Sequence, residues 1–213
     1  MDRNVYNSGY KPSVLDGTEH IFGATVSNQI KIPDSYSYKK YLPEVLNQGQ
    51  LSICVPCSVS AFLNWRENLN NGHNRKDNEI NYFEIYNSKT TEGDGMTFKD
   101  AFRFLRHEGV SSNLGKLKID EYALLRDAEK IKVALVMNGP CVGALPVYNN
   151  TKEFWNQRKY DRFLGYHAIA IVGYDKHGFI IRNSWGKSFG TNGYTTIKYE
   201  DAYRFVEMWT IIE

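Results

Sequence analysis

Four residues of this 213-residue chain have the types and settings to do chemistry together: Gln48, Cys54, His167 and Asn183. Cys54 follows Gln48-Gly49-Gln50-Leu51-Ser52-Ile53 and opens an apolar run. His167 opens the alternating stretch Ala168-Ile169-Ala170-Ile171-Val172, and Asn183 stands in Arg182-Asn183-Ser184-Trp185-Gly186. A thiol at a helix N-terminus meets unpaired N–H groups and partial positive charge, and both favour the nucleophilic thiolate. An imidazole, with an ordinary pKa of about 6.5, can take a proton and return it. An asparagine amide can hold the far ring nitrogen and set the tautomer, with Trp185 shielding that bond from water. A glutamine amide beside the cysteine N–H supplies a pair of donors for an oxyanion. These are the parts of thiol-based acyl transfer. Each residue also has an ordinary reading on its own: a buried apolar cysteine, a histidine at a strand start, an asparagine in a turn, a polar loop glutamine. The combination carries the functional reading.

The elements that must position them are legible in outline. Ser52 is a candidate N-cap for a helix over about 53–68, apolar nearly all round and therefore central, with Pro56 in its first turn where a missing N–H costs little. A short helix fits about 79–88. Thr97-Phe98-Lys99-Asp100 has the form of a capping box and starts a helix ended by Gly109. Another helix fits about 120–137, stopped by Gly139-Pro140. The period then changes to two, and Cys141–Tyr148, His167–Tyr174, Gly178–Asn183, Tyr194–Tyr199 and Val206–Ile211 read as strands. The order predicts an α+β protein with a helical lobe over about 45–138, a β lobe over about 139–213, and a cleft between them. Residues 1–31, polar and turn-rich, read as an extended arm ahead of a domain over 32–213.

Register poses one difficulty. If a two-residue turn at Lys176-His177 joins the second and third strands, Asn183 falls opposite Ala170, on the face away from His167. The contact then needs a bulge, another turn length, or an Asn183 beyond the ladder.

With these local sequences and in this order, the four residues resemble the papain-like cysteine peptidases. Asn47-Gln48-Gly49 with Cys54 at a helix head is similar to that family's oxyanion and nucleophile segment. Gly165-Tyr166-His167-Ala168 with Val172-Gly173-Tyr174 is similar to its histidine strand, and Asn183-Ser184-Trp185-Gly186 to its asparagine segment. The resemblance implies a two-lobed fold with a β-barrel-like right lobe, and peptide-bond hydrolysis through a thiolate–imidazolium pair and an acyl-enzyme. It further implies that Gly95 binds substrate backbone, that Trp185 borders the site, and that Met96, Ala144 and Ala168 line an open, apolar pocket. That pocket would take a large hydrophobic side chain from the second residue before the scissile bond. Leu51 stands where a disulfide cysteine is usual and Val55 where an aromatic is usual. These departures suit a compact, disulfide-free member of the bacterial, phage or large-virus type, with residues 1–31 as a short pro-segment or a strap across the cleft.

Composition narrows the partners. A net charge of +2 without a long basic run does not suggest nucleic acid or a membrane surface, and no apolar stretch reaches the ~18–20 residues of a membrane span. The expected partners are polypeptide substrates, acted on by a monomer. Three cysteines make a poor disulfide framework and indicate the cytoplasm or another reducing compartment, extending to a virion or host cell if the source is viral. The His and Cys residues show no metal-ligand spacing beyond Cys54-Val55-Pro56-Cys57, and no cofactor is expected. That C-x-x-C supports a rival reading as a thiol–disulfide oxidoreductase. Others are a peptidase-like binding or structural protein without turnover, and transfer of the acyl group to an amine.

Overall fold

A computed structural model describes residues 8–23 and 30–213; the remainder of the predicted arm, residues 1–7 and 24–29, lies outside the described residues. Among the described residues there are four α-helices: α1 (Cys54–Asn70), α2 (Tyr82–Asn87), α3 (Phe98–His107) and α4 (Ala128–Asn138). The strands are β1 (Tyr36–Ser37), β2 (Val110–Ser112), β3 (Gly115–Leu117), β4 (Glu121–Leu124), β5 (Cys141–Val147), β6 (Gly165–Asp175), β7 (Gly178–Arg182), β8 (Tyr194–Ile197) and β9 (Glu207–Ile212). Seven form one sheet in the order β4-β9-β5-β6-β7-β8, with β1 continuing along β6; β2 and β3 make a separate hairpin. Every pairing between named strands is antiparallel.

α1 is the central helix. Cys54, Val55, Val59, Phe62 and Leu63 are fully buried, and its other face sets Ala61 in a cluster with Val172 and Ile180 of the sheet. Each such aliphatic or aromatic side chain contributes about 1.5–3 kcal/mol by leaving water, so the helix is held by packing rather than capping. The expected Ser52 cap is not made: Ile53 is the N-cap residue and supplies no side-chain bond. The residue at the N-cap of α1 thus leaves the thiol-bearing end without a side-chain cap of its own, the condition a nucleophile there needs. α3 is capped as expected, with Thr97 Oγ1 accepting the Asp100 N–H at 3.0 Å.

The helix expected over 120–137 is corrected. Residues 121–124 form β4 on the β9 edge, and α4 begins only after Asp127 caps Glu129. The helix-favouring composition of this stretch is overridden by the ladder with Thr210 and Trp209. Both β4 and α4 pack on the sheet side, so that side of the molecule begins well before residue 139. The five expected strands are present with ends shifted by at most two residues.

The register difficulty is solved by a bulge. The β6–β7 ladder runs Asp175↔Gly178, Tyr174↔Phe179 and Gly173↔Ile180, then skips Val172 and resumes at Ile171↔Ile181 and Ala170↔Arg182. Val172 gives its carbonyl to Tyr38 N–H at 2.9 Å instead. One extra residue on β6 reverses the parity of everything beyond it. Asn183, just past the last ladder pair, thereby comes to the face that carries His167.

Candidate active site

Cys54 is the first residue of α1, a free thiol with no exposed surface. The backbone amides of Ala168, on β6, and of Gly9, on the arm, act electrostatically on its sulfur. These amides favour the thiolate, but burial outweighs them and pushes the thiol up to about 11. His167, the residue before that Ala168 amide, is also fully buried. Burial pushes its pKa down to about 4, against the opposing pull of Asn183. In the closed form described, the pair is thus a neutral thiol and a neutral imidazole.

The tautomer of that imidazole follows from Asn183. Its Oδ1 accepts the Ser184 backbone N–H at 2.7 Å, which identifies it as the oxygen, and the same atom lies 2.7 Å from His167 Nε2. Nε2 must then carry the proton, leaving Nδ1 with the lone pair. Nδ1 is buried without a hydrogen-bond partner among the described residues. A buried ring nitrogen left unpaired calls for an explanation, and a position kept for taking up a proton is one; in this closed form Nδ1 makes no hydrogen bond to Cys54. Trp185 lies over the imidazole at 4.6 Å between ring centres, and Phe154 meets it edge-on at 5.8 Å, so the His167–Asn183 bond is dry.

Gln48 is buried and is positioned by the segment that carries Asn183. Its N–H donates to Ser184 O at 2.9 Å, its Oε1 accepts from the Ser184 hydroxyl, Asn47 bridges Trp185, and Gly186 N–H donates to Leu46 O at 3.0 Å. Residues 46–48 and 184–186 are thus zipped together, one stretch per lobe. With Oε1 so occupied, Nε2 donates to Leu51 O at 2.8 Å, three residues before Cys54 in the chain.

The residues expected to meet substrate are occupied by the chain itself. Gly9 O accepts from Met96 N–H at 2.9 Å, Lys11 N–H donates to Met96 O at 3.0 Å, and Tyr10 N–H donates to Tyr166 O at 3.4 Å. The arm thus pairs with both walls of the cleft at once. Gly95, at φ +93°, leaves room for it: a Cβ there would stand 2.9 Å from Gly9 O. Tyr10 is buried with Met96, Ala144 and Ala168, meets Phe98 at a tilt with ring centres 4.9 Å apart, and donates its hydroxyl to Glu207. Farther on, Lys99 Nζ holds Val14 O at 3.1 Å and the Glu19 carboxylate at 2.9 Å, and His20 and Phe22 pair with Leu124. Trp185, with 1% of its surface exposed, covers the imidazole rather than facing this pocket.

The expected open, apolar pocket differs in the structure: Tyr10 fills the place beside Met96, Ala144 and Ala168, and its hydroxyl meets a buried carboxylate, Glu207. Phe98, Trp209 and Glu207 were missed as pocket residues. Glu207 had a signal, a lone charge in the strand Glu207-Met208-Trp209-Thr210-Ile211-Ile212 on the parity of Trp209 and Ile211, which are buried. The C-x-x-C does not lie in a redox setting: Cys57 is one turn inside α1, no parallel βα unit flanks it, and burial pushes its thiol well up. No group of His, Cys, Asp and Glu suited to a metal ion occurs among the described residues.

Comparison with known proteins agrees with this geometry. Residues 76–209 match the model of the papain family cysteine proteases, a stretch that includes His167 and Asn183 and begins after Cys54. The cathepsin B-like protein CP3 of Giardia intestinalis is 29% identical over 210 residues, covering 78% of this chain and 69% of that one. Macrodontain-1 of Ananas macrodontes is 31% identical over 190 residues, covering 78% and 89%. Against several other relatives the chain spans only 30% to 61% of their length. Among solved structures, xylellain, a cysteine protease from Xylella fastidiosa, superimposes with a TM-score of 0.80 at 22% identity, covering 100% of this chain and 98% of that one.

Proposed function

Since the chain belongs to the papain family of cysteine proteases, we propose that it hydrolyses peptide bonds of polypeptide substrates through Cys54, with residues 8–13 as a strap that must leave the cleft first. The observation that carries the reading is the meeting of the two lobes beside the sulfur: Cys54, heading α1, is buried in one cluster with Ala168, the residue that follows His167 on β6. Once the strap lifts and water enters, the burial that holds both groups neutral is relieved, and the thiol proton passes to Nδ1. The thiolate attacks the substrate carbonyl. The oxyanion collects donors from Gln48 Nε2 and the Cys54 backbone N–H, and His167 returns its proton to the departing amine. Water, deprotonated by the same imidazole, then cleaves the thioester. Asn183 keeps the ring in register throughout.

The strap is not itself a substrate in this pose. Its Gly9 carbonyl accepts from Met96 N–H rather than being presented to the sulfur. Gly9 is what lets it sit so low, because a Cβ there would stand 2.5 Å from Ser52 O and 2.6 Å from the Ser52 Cα. Gly9→Val in the full chain is expected to raise hydrolysis of a denatured protein substrate roughly tenfold or more, since overpacking of this kind costs about 1–3 kcal/mol in the closed form only. Unchanged or lower activity, with Cys54 no faster to label with an epoxide-type thiol inhibitor, would refute the strap. A small net charge of +2 goes with peptide rather than nucleic-acid partners. A monomer in a reducing compartment goes with a nucleophile that must stay unoxidised; all three cysteines are free.

A further inference from the structure

We propose that Ser60, on α1, is a positioning residue for Asn183, acting through one buried water held between Ser60 Oγ and Asn183 Nδ2. The inference rests on the peptidase reading and adds a residue to its machinery. The oxygen of the Asn183 amide is committed, to His167 Nε2 and to the Ser184 backbone N–H, each at 2.7 Å. The nitrogen, Nδ2, is buried with no hydrogen-bond partner among the described residues. Ser60 carries a second unpaired group. A helical serine can return its hydroxyl to a carbonyl one turn back, as Ser58 does to Val55 O at 2.8 Å. Ser60 does not: it is 1% exposed, and its Oγ has no partner among the described residues. Both residues line one cavity between α1 and the turn that follows β7, with Cys57, Tyr82 and Ser184 among its other walls. It leaves about 10 Å³ to a water-sized sphere, close to what a single water needs.

Two buried polar groups on one space of that size are costly when unpaired, and one water satisfies both: it accepts from Asn183 Nδ2 and donates to Ser60 Oγ. The water sits at the amide nitrogen, not on the Oδ1–Nε2 bond, so that bond stays dry. The consequence is for proton transfer. If the amide turned over, Nδ2 would meet the ring, Nε2 would have to accept, and the ring proton would move to Nδ1, where it blocks uptake from the thiol. Ser184 opposes that rotation from the oxygen end, and Ser60 with its water opposes it from the nitrogen end. A firmly held Oδ1 also stabilises the imidazolium through Nε2–H.

The test compares two variants of the full chain: Ser60→Ala drops the hydroxyl without adding bulk, and Ser60→Thr keeps it. NMR needs no turnover. Cross-peaks from a long-lived water to the Asn183 side-chain amide are expected in the natural chain and in Ser60→Thr. They should be lost in Ser60→Ala, where the water keeps a single partner and exchanges quickly. Added to Gly9→Val, Ser60→Ala is expected to lower kcat on a peptide substrate ~3–10-fold per epoxide-titrated site, the worth of one ordinary hydrogen bond, with KM unchanged. The alkaline limb of its kcat/KM profile should move to lower pH, because a looser Oδ1 stabilises the imidazolium less; a loss of folding alone moves neither readout. Ser60→Thr should restore both. No water contact at the Asn183 amide of the natural chain, or a kcat and alkaline limb in Gly9→Val/Ser60→Ala equal to those of Gly9→Val, would overturn the proposal, as would a Thr variant that behaves like the Ala one. The expected cross-peaks with no hydrolysis by any variant, Gly9→Val included, would sink the hydrolase and keep the water-held amide.

Discussion

Cys54→Ala, in a chain whose strap is loosened by Gly9→Val, is expected to lose hydrolysis by a factor on the order of 10⁶, the scale on which removing a catalytic nucleophile acts. The sequence has three cysteines, and their surroundings separate them. Cys54 alone stands at the uncapped end of a helix with a second-lobe amide acting on its sulfur. Cys141 is sealed in β5 opposite Ile171, and burial pushes its thiol up to about 12. Cys141→Ser should therefore shift the melting temperature, with little change in kcat per folded molecule, and Cys57→Ala should behave in the same way. Turnover of the Cys57 and Cys141 variants measured against epoxide-titratable sites, and of Cys54→Ala against protein shown by melting to be folded, makes the comparison independent of folding yield. Loss of activity that followed Cys57 or Cys141 instead would refute the assignment of the nucleophile.

The second large effect concerns Gln48. Its Oε1 accepts from the Ser184 hydroxyl and its Nε2 donates to Leu51 O, so the amide is fixed before substrate arrives. Preorganised donors of this kind act on charge that exists only in the transition state. Gln48→Ala is expected to cost ~10²–10³-fold in kcat with KM nearly unchanged, the signature of an interaction absent from the ground state. Gln48→Glu, which keeps the shape but brings an acceptor toward the oxyanion, should be at least as damaging. A variant that raised KM and spared kcat would mean that Gln48 binds substrate rather than stabilising the oxyanion.

Much of this site is legible in the amino-acid sequence because the chemistry sits in short local signals. The apolar run after Cys54, the alternation after His167 and the Asn183-Ser184-Trp185-Gly186 turn each mark an element end, where functional side chains are carried. What could not be read is the long-range geometry. The Val172 bulge leaves no mark in a run of alternating apolar residues, yet without it Asn183 would point away from His167. The 121–124 stretch has a helix-like composition, and only its pairing with β9 makes it a strand. The arm reads as polar and turn-rich; its meaning depends on Gly9 and Tyr10 finding Ser52, Met96 and Glu207, contacts separated by dozens to nearly two hundred residues. Glu207 was the one missed pocket residue with a readable cue, a charge at a position whose strand neighbours of like parity are buried.

The pH dependence of Cys54 alkylation by a small reagent such as iodoacetamide, followed by mass spectrometry in the natural chain, in Gly9→Val and in Gly9→Val/His167→Ala, bears most directly on whether sulfur and imidazole act as a pair. In the natural chain the thiol, held near 11 by burial, should react only as pH rises well into the alkaline range. In Gly9→Val the reactivity should extend to acid pH, because a thiolate now shares its proton with the ring. In Gly9→Val/His167→Ala the profile should return to that of an ordinary thiol, near pH ~8.5. An acid-extended profile that survived the loss of His167, or none in any variant, would contradict the account.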